Sequence, residues 1–370
     1  MPEQAVAIDA PDPAQRGKSS INMSKPRIID CETHYITESF LDLLRSRDTP
    51  PRQTVSGDLR QNYFDSTFPE VACTYPKFIE QNLLELGEAR VALMDQCGIS
   101  AQVVSLTTPG TDLFPSDIGI KAAHEANDLL GSAVAHHPGR MIGLATLAPM
   151  AGEESAIELE RAVTNLGLRG ANIHSHVGDA YLDDRACWPI FEAAERLKVP
   201  INIHPILPHG SMLGPYLGYG WTLAGPGLGF GHEVSIQVAR MIYAGVFDAY
   251  PDLQIMLGHC GEALPFWMYR LDFPYIKPYI DVLGEHPRLD RIPSEVLTQN
   301  FWYNCSGNFF VPAFLACLHA VGADRMMFGS DHPYEFYEEA CRFAETMPVS
   351  EPDRGKVLHL NAERLFHLDG

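Results

Sequence analysis

Glu32 and His34, two residues apart, close an apolar run that begins with Ile28 and Ile29. On a β-strand residues i and i+2 share a face, so a carboxylate and an imidazole would project together from the strand's end. The spacing E-x-H is common by chance. It gains weight from three later segments in which a histidine or aspartate again ends an apolar run. His204 follows Ile201-Asn202-Ile203, His259 follows Ile255-Met256-Leu257-Gly258, and Asp331 follows Met326-Met327-Phe328-Gly329-Ser330. Glu32, His34, His204 and Asp331 form a mixed nitrogen and oxygen set that suits Zn²⁺, and nearly as well Mn²⁺ or Fe²⁺. Each alone has a plainer use: His34 as a capping or solvated residue, His204 as a donor to a backbone carbonyl, Asp331 as the cap of the last turn. Their shared placement at strand ends marks them as a site.

The elements that must position them follow a regular rhythm. Strands are expected at residues 28–34, 101–106, 141–145, 170–173, 200–204, 253–257, 301–304 and 325–328, with helical spacing between them, as at 37–47, 83–97, 118–137 and 153–166. Strands rich in Ile, Val, Leu and Met that alternate with helices predict an α/β chain folded as one (β/α)₈ TIM-type barrel, which carries its chemistry at the strands' C-terminal ends. Residues 48–78, rich in Pro, Asp, Ser and aromatics, show no element and read as a long insertion after the first strand, a substrate lid or a surface excursion in equal measure. The barrel is expected over residues 25–370, preceded by a polar, flexible arm at residues 1–24.

Around His259 the run Gly258-His259-Cys260-Gly261-Glu262 has glycines that permit a tight turn, and Glu262 stands where it can orient the ring. Arg270, on the helix that follows, could grip a substrate carboxylate bidentately or serve a salt bridge. His174 and His176 follow the fourth strand and could line the pocket. Trp221 lies in the glycine-rich loop at residues 205–231. Arg270, Trp221 and His176 are the expected contacts to substrate.

The chain of 370 residues is 46% hydrophobic and carries a formal charge of −20, which argues against nucleic acid and anionic membranes as partners. Eight cysteines lie scattered without C-x-x-C spacing, several inside apolar runs, as expected of reduced thiols in the cytoplasm. No stretch has the length and apolarity of a membrane span, and the first residues lack the apolar core of a signal peptide.

The segments Asp30-Cys31-Glu32-Thr33-His34, Ile203-His204-Pro205, Leu257-Gly258-His259-Cys260-Gly261-Glu262 and Phe328-Gly329-Ser330-Asp331-His332-Pro333 together resemble the amidohydrolase-related superfamily, specifically its metal-dependent decarboxylase branch. That branch includes aminocarboxymuconate-semialdehyde, γ-resorcylate and 5-carboxyvanillate decarboxylases. The resemblance runs from about Arg27 to Leu368. It implies that Glu32, His34, His204 and Asp331 hold one divalent metal ion, Zn²⁺ or Mn²⁺, and that His259 is catalytic with Glu262 as its support. Glu32 stands where many hydrolases of the superfamily have a histidine, as in the hydroxybenzoate decarboxylases, and no lysine ends a mid-barrel strand to bridge two metals. His332 replaces the tryptophan frequent after the final aspartate. The implied reaction is non-oxidative loss of CO₂ from a small aromatic acid of the ortho-hydroxybenzoate type, with Asp331 or metal-bound water protonating the ring. Its rivals are hydrolysis of a lactone or amide and hydration of a conjugated acid. The polar arm at residues 1–24 and the aromatic run Phe266-Trp267-Met268-Tyr269 point to a homodimer or homotetramer, and the resemblance implies dimers with the region around Arg270 near the shared boundary.

Overall fold

The computed structural model describes residues 27–64, 71–277, 279 and 287–368; the arm expected at residues 1–24 lies outside them. The apolar runs fold as parallel strands: β1 (Ile29–Tyr35), β5 (Ala101–Leu106), β6 (Met141–Gly143), β7 (Ala145–Thr146), β8 (Ala171–His174), β9 (Ile201–His204), β10 (Ile255–Leu257), β11 (Phe301–Asn304) and β12 (Met326–Met327). They pair in the orders β1-β5-β6 and β7-β8-β9-β10-β11-β12. Two seams join these sheets. Leu144 donates its N–H to Val104 and Ala145 donates to Gly170, so β6 and β7 act as one barrel strand. At the other edge Cys31 donates to Phe328, Asp331 to Glu32, and His34 to His332, each at 2.8–2.9 Å. Eight strand positions thus form the expected (β/α)₈ barrel.

Alternation sorts the side chains. Ile173, Ile201, Ile203, Ile255, Leu257 and Tyr303 face outward onto the helices. Val103, Ile142, Leu144, Met256, Trp302 and Met327 fill the barrel with Ile29 and Cys31, and the helix Asn361–Phe366 plugs them with Ala362, Leu365 and Phe366. Each such side chain stabilises the fold by about 1.5–3 kcal/mol when fully buried. Above this plug the inward residues turn polar: Asn202 donates to Asn172 at 2.7 Å, and Asn304 reaches Glu32. The register of β1 against β5 shifts between Asp30 and Thr33. That bulge lets Cys31 join the apolar plug while the next residue, Glu32, also turns into the barrel, which strict alternation would forbid.

Residues 48–78 differ from expectation. They contain an antiparallel sheet of β2 (Arg52–Ser56), β3 (Leu59–Tyr63) and β4 (Ala72–Pro76), with Gly57 at φ +60° in the two-residue turn between β2 and β3. Its inward side is polar: Gln53 donates to Asn62 and to the Tyr75 hydroxyl, and Arg60 pairs with Glu80 at 2.9 Å. No hydrophobic alternation therefore announces it. The helix expected over 83–97 begins only at Glu88 and runs to Cys97, and a separate helix, Lys77–Leu83, precedes it. No disulfide joins any of the eight cysteines, six of which are buried.

Candidate active site and metal centre

Glu32 and His34 end β1, His204 ends β9, and Asp331 lies in the turn after β12. One ligand atom from each of these four residues lies within 4.8 Å of the other three. Glu32 Oε2 accepts hydrogen bonds from Asn304 Nδ2 at 2.8 Å and Ser306 Oγ at 2.7 Å. Its Oε1 is buried without a hydrogen-bond partner among the described residues, 3.6 Å from His204 Nε2. His204 donates Nδ1–H to the Pro205 carbonyl at 2.8 Å, which leaves Nε2 as a lone pair. Burial, with the His34 and His174 rings nearby, pushes His204 well below the usual histidine range, so it is neutral. His34 Nδ1 lies 3.2 Å from Ser105 Oγ, and its Nε2 lies 3.0 Å from Asp331 Oδ1. A bare carboxylate oxygen beside an imidazole lone pair, with a second carboxylate adjacent, is a donor set that fits a divalent cation.

The surroundings hold this set tightly. A Cβ on Gly258 would lie 2.3 Å from Glu32 Oε2, so the strand end after β10 must be glycine for the carboxylate to lie there. Asp331 has φ +68°, a strained conformation for a non-glycine residue. The turn is pinned from behind by Asp30, which accepts from Ser330 N–H at 2.8 Å, Ser330 Oγ at 2.5 Å and the Tyr337 hydroxyl at 3.0 Å.

His259 through Ala263 all have positive φ, between 52° and 75°, a left-handed turn in which only Gly261 is glycine. The turn places His259 Nδ1 2.6 Å from Glu262 Oε1 and Nε2 3.8 Å from Asp331 Oδ2. Burial pushes His259 down, but the charges of Glu262 and Glu32 and the bond to Asp331 outweigh it and raise the ring well above the usual range. For Asp331 the balance reverses: burial pushes it up, and His259 and His34 hold it well below the ordinary carboxylate range. At rest, then, Asp331 is a carboxylate and the proton of the pair sits on His259.

The structure brings Glu32, His34, His204, His259, Glu262 and Asp331 together. The three expected substrate contacts show other neighbours. His176 is buried with both ring nitrogens 3.0 Å from carbonyls, those of Gly178 and Leu207, at the edge of a cavity of about 200 Å³ shared with Pro50, Pro51 and Phe64. Trp221 opens the short helix Trp221–Ala224 and packs edge-on against Phe230. Arg270 is exposed on the helix Leu264–Leu271, its guanidinium over the Phe273 ring. Other residues join the site unannounced: Asn304, Ser306 and Ser105 as above, and Tyr334, whose hydroxyl lies 2.6 Å from Thr107 Oγ1. The Tyr334 ring packs between His34 and Tyr75, at 5.8 and 6.1 Å, which borders the site with the inserted sheet. Asn304 and Ser105 sit at the ends of expected strands, a signal that polar strand ends could have supplied.

The family model described as amidohydrolase matches residues 29–368. A γ-resorcylate decarboxylase of Polaromonas sp. is 35% identical over 298 residues, 79% of this chain and 90% of that one. Among solved structures, 5-carboxyvanillate decarboxylase from Novosphingobium aromaticivorans, complexed with manganese and 4-hydroxy-3-methoxy-5-nitrobenzoic acid, superposes with a TM-score of 0.82 at 33% identity, covering 92% of this chain and 96% of that one. A dihydroxybenzoic acid decarboxylase from Polaromonas sp., with bound manganese and the inhibitor 2-nitroresorcinol, gives 0.79 at 33% identity, covering 93% and 98%.

Proposed function

The chain belongs to the amidohydrolase family, and from that premise we propose that it removes CO₂, without an oxidant, from an aromatic acid bearing a hydroxyl beside its carboxylate. The observation that carries this is the Glu32, His34, His204 and Asp331 cluster, with His259 3.8 Å from Asp331 on one side of its ring and 2.6 Å from Glu262 on the other. The manganese and nitro-aromatic ligands of two similar decarboxylases support it. In this reading Glu32, His34, His204 and Asp331 hold one divalent ion, manganese or zinc, which when bound supplies Lewis-acid stabilisation of the substrate's oxygens.

The chain's own residues manage the proton. His259 holds it at neutral pH, kept charged by Glu262. Asp331, 3.8 Å away, accepts it and passes it to the ring carbon that bears the carboxylate. The C–C bond then breaks, its electrons return to the ring as CO₂ leaves, and His259 is reprotonated from solvent. Tyr334 and the inserted sheet would close one wall over the ring and limit water. His176 would then act only from the cavity it shares with Pro50, Pro51 and Phe64.

Reaction in D₂O tests this directly. One deuterium should appear on the carbon that lost the carboxylate, for 2-hydroxybenzoates and not for 4-hydroxybenzoate, which cannot present both oxygens to one ion. Release of a hydrolysis or hydration product with no CO₂ from any 2-hydroxybenzoate would overturn it. We also place the protein in the cytoplasm, supported by eight cysteines of which none forms a disulfide; recovery from another compartment on cell fractionation would refute that. A homodimer or homotetramer is supported by Phe266, Trp267 and Tyr269, which stand 79, 48 and 63% exposed on the helix that carries Arg270.

A further inference from the structure

Asp112 and His174 form a second carboxylate–imidazole pair, which the chemistry above leaves unused. Both side chains are fully buried. Asp112 Oδ1 accepts from the His174 backbone N–H at 3.1 Å, and Oδ2 lies 2.7 Å from Nδ1. Asp112 thus occupies the Nδ1 edge of the ring and leaves Nε2 as its remaining polar atom. That nitrogen is buried and has no hydrogen-bond partner among the described residues.

His174 ends β8 directly opposite His204 on β9, so both imidazoles enter the barrel side by side; their ring centres are 5.5 Å apart at 81°. Gly110, at φ +64°, folds its loop against the other edge of the ring, where a Cβ would lie 2.3 Å from Cε1 and 2.4 Å from Nδ1. The loop therefore claims the Nδ1 edge and leaves the Nε2 tip to the barrel interior. His174 is outside the four-residue cluster, so its lone pair stands beside the cluster rather than in it. A buried acceptor left unmet is costly, and in a built site it marks where a ligand's donor belongs. The ligands of the two similar decarboxylases differ in this respect: one hydroxyl flanks the nitro group of the nitrobenzoic acid, and two flank that of 2-nitroresorcinol.

We propose that His174, fixed by Asp112, determines specificity by accepting a hydrogen bond from a second ortho hydroxyl of the substrate, so that acids flanked by two hydroxyls are preferred over those flanked by one. This rests on the decarboxylase reading of the site. The test measures binding rather than turnover: absorbance titration of manganese-loaded protein with 2-nitroresorcinol and 2-nitrophenol. Native protein should favour the resorcinol by about tenfold or more. His174→Phe should bring the two Kd values together while manganese content stays at the native level, and His174→Gln, whose amide oxygen can replace the acceptor, should restore part of the preference. Asp112→Asn, nearly isosteric, should also lower it and serves if His174→Phe does not fold. An unchanged ratio in these variants, or loss of manganese from His174→Phe, would overturn the proposal. Native protein that releases no CO₂ from 2,6-dihydroxybenzoate or 2-hydroxybenzoate would overturn the decarboxylase reading, while the Kd ratio still judges His174 by itself.

Discussion

Gly258→Ala isolates the metal site from the fold. Gly258 has φ −75° and ψ −174°, an extended conformation that alanine adopts without strain, so the backbone does not resist the change. The added Cβ would instead stand 2.3 Å from Glu32 Oε2, 2.8 Å from Oε1 and 2.9 Å from Cδ. Ordinary contact begins at 3.4 Å, so the carboxylate must retreat by about 1.1 Å. Metal sites tolerate ligand displacements of only about 0.2 Å. The retreat also takes Oε2 from Asn304 and Ser306, now at 2.8 and 2.7 Å. Two hydrogen bonds to a charged group contribute about 1.5–3 kcal/mol each. Losing the equivalent of two weakens binding of the ion by about a hundredfold or more. Manganese titration followed by electron paramagnetic resonance reads the free ion directly, and the melting temperature of metal-free protein serves as the control. Native manganese affinity in Gly258→Ala would refute both the cradle and the place of Glu32 in the site.

His259→Asn should keep its metal and lose at least about a hundredfold in kcat, because it removes the proton store and no ligand; joint loss of metal and activity would make His259 a ligand. The exposed aromatic helix Leu264–Leu271 predicts a dimer or tetramer by sedimentation velocity at micromolar concentration, where a lone monomer would contradict it. Glu233 gives a pH-dependent prediction. Burial pushes its carboxyl from 4.5 up to about 7. Below the unfolded value both states are protonated and nothing is lost; between the two values the unfolded chain ionises first, so stability falls and then levels off above about 7. Glu233→Gln should therefore melt like the native protein near pH 4.5 and gain up to about 3 kcal/mol at pH 8; an equal shift in melting temperature at both pH values would show that the carboxyl does not titrate this way.

The strand ends were legible because parallel barrel strands are buried on both faces and read as short apolar runs, so a terminal Glu32, His204, His259 or Asp331 stands out. The inserted sheet was not, since Gln53, Arg60 and Asn62 fill its buried side and erase the alternation that reveals a strand. Gly258 was legible as a glycine of a tight turn, and Gly261 N–H donates to its carbonyl at 2.7 Å, but its reason for being glycine was not legible. Its dihedrals are ordinary, and the need for glycine comes from Glu32, which only the folded barrel brings within 2.3 Å of its missing Cβ. The same limit governs the proton. The side chains of His259 and Asp331 are only 18 and 16% exposed, and that desolvation alone would make the acid neutral and the base neutral. The outcome is the opposite because Glu262 reaches His259 at 2.6 Å through a left-handed turn, and His34 reaches Asp331 at 3.0 Å across the barrel's closing seam. Residue types can nominate such a pair. Which member carries the charge depends on a few ångströms of tertiary geometry, above all the 2.6 Å between Glu262 and His259.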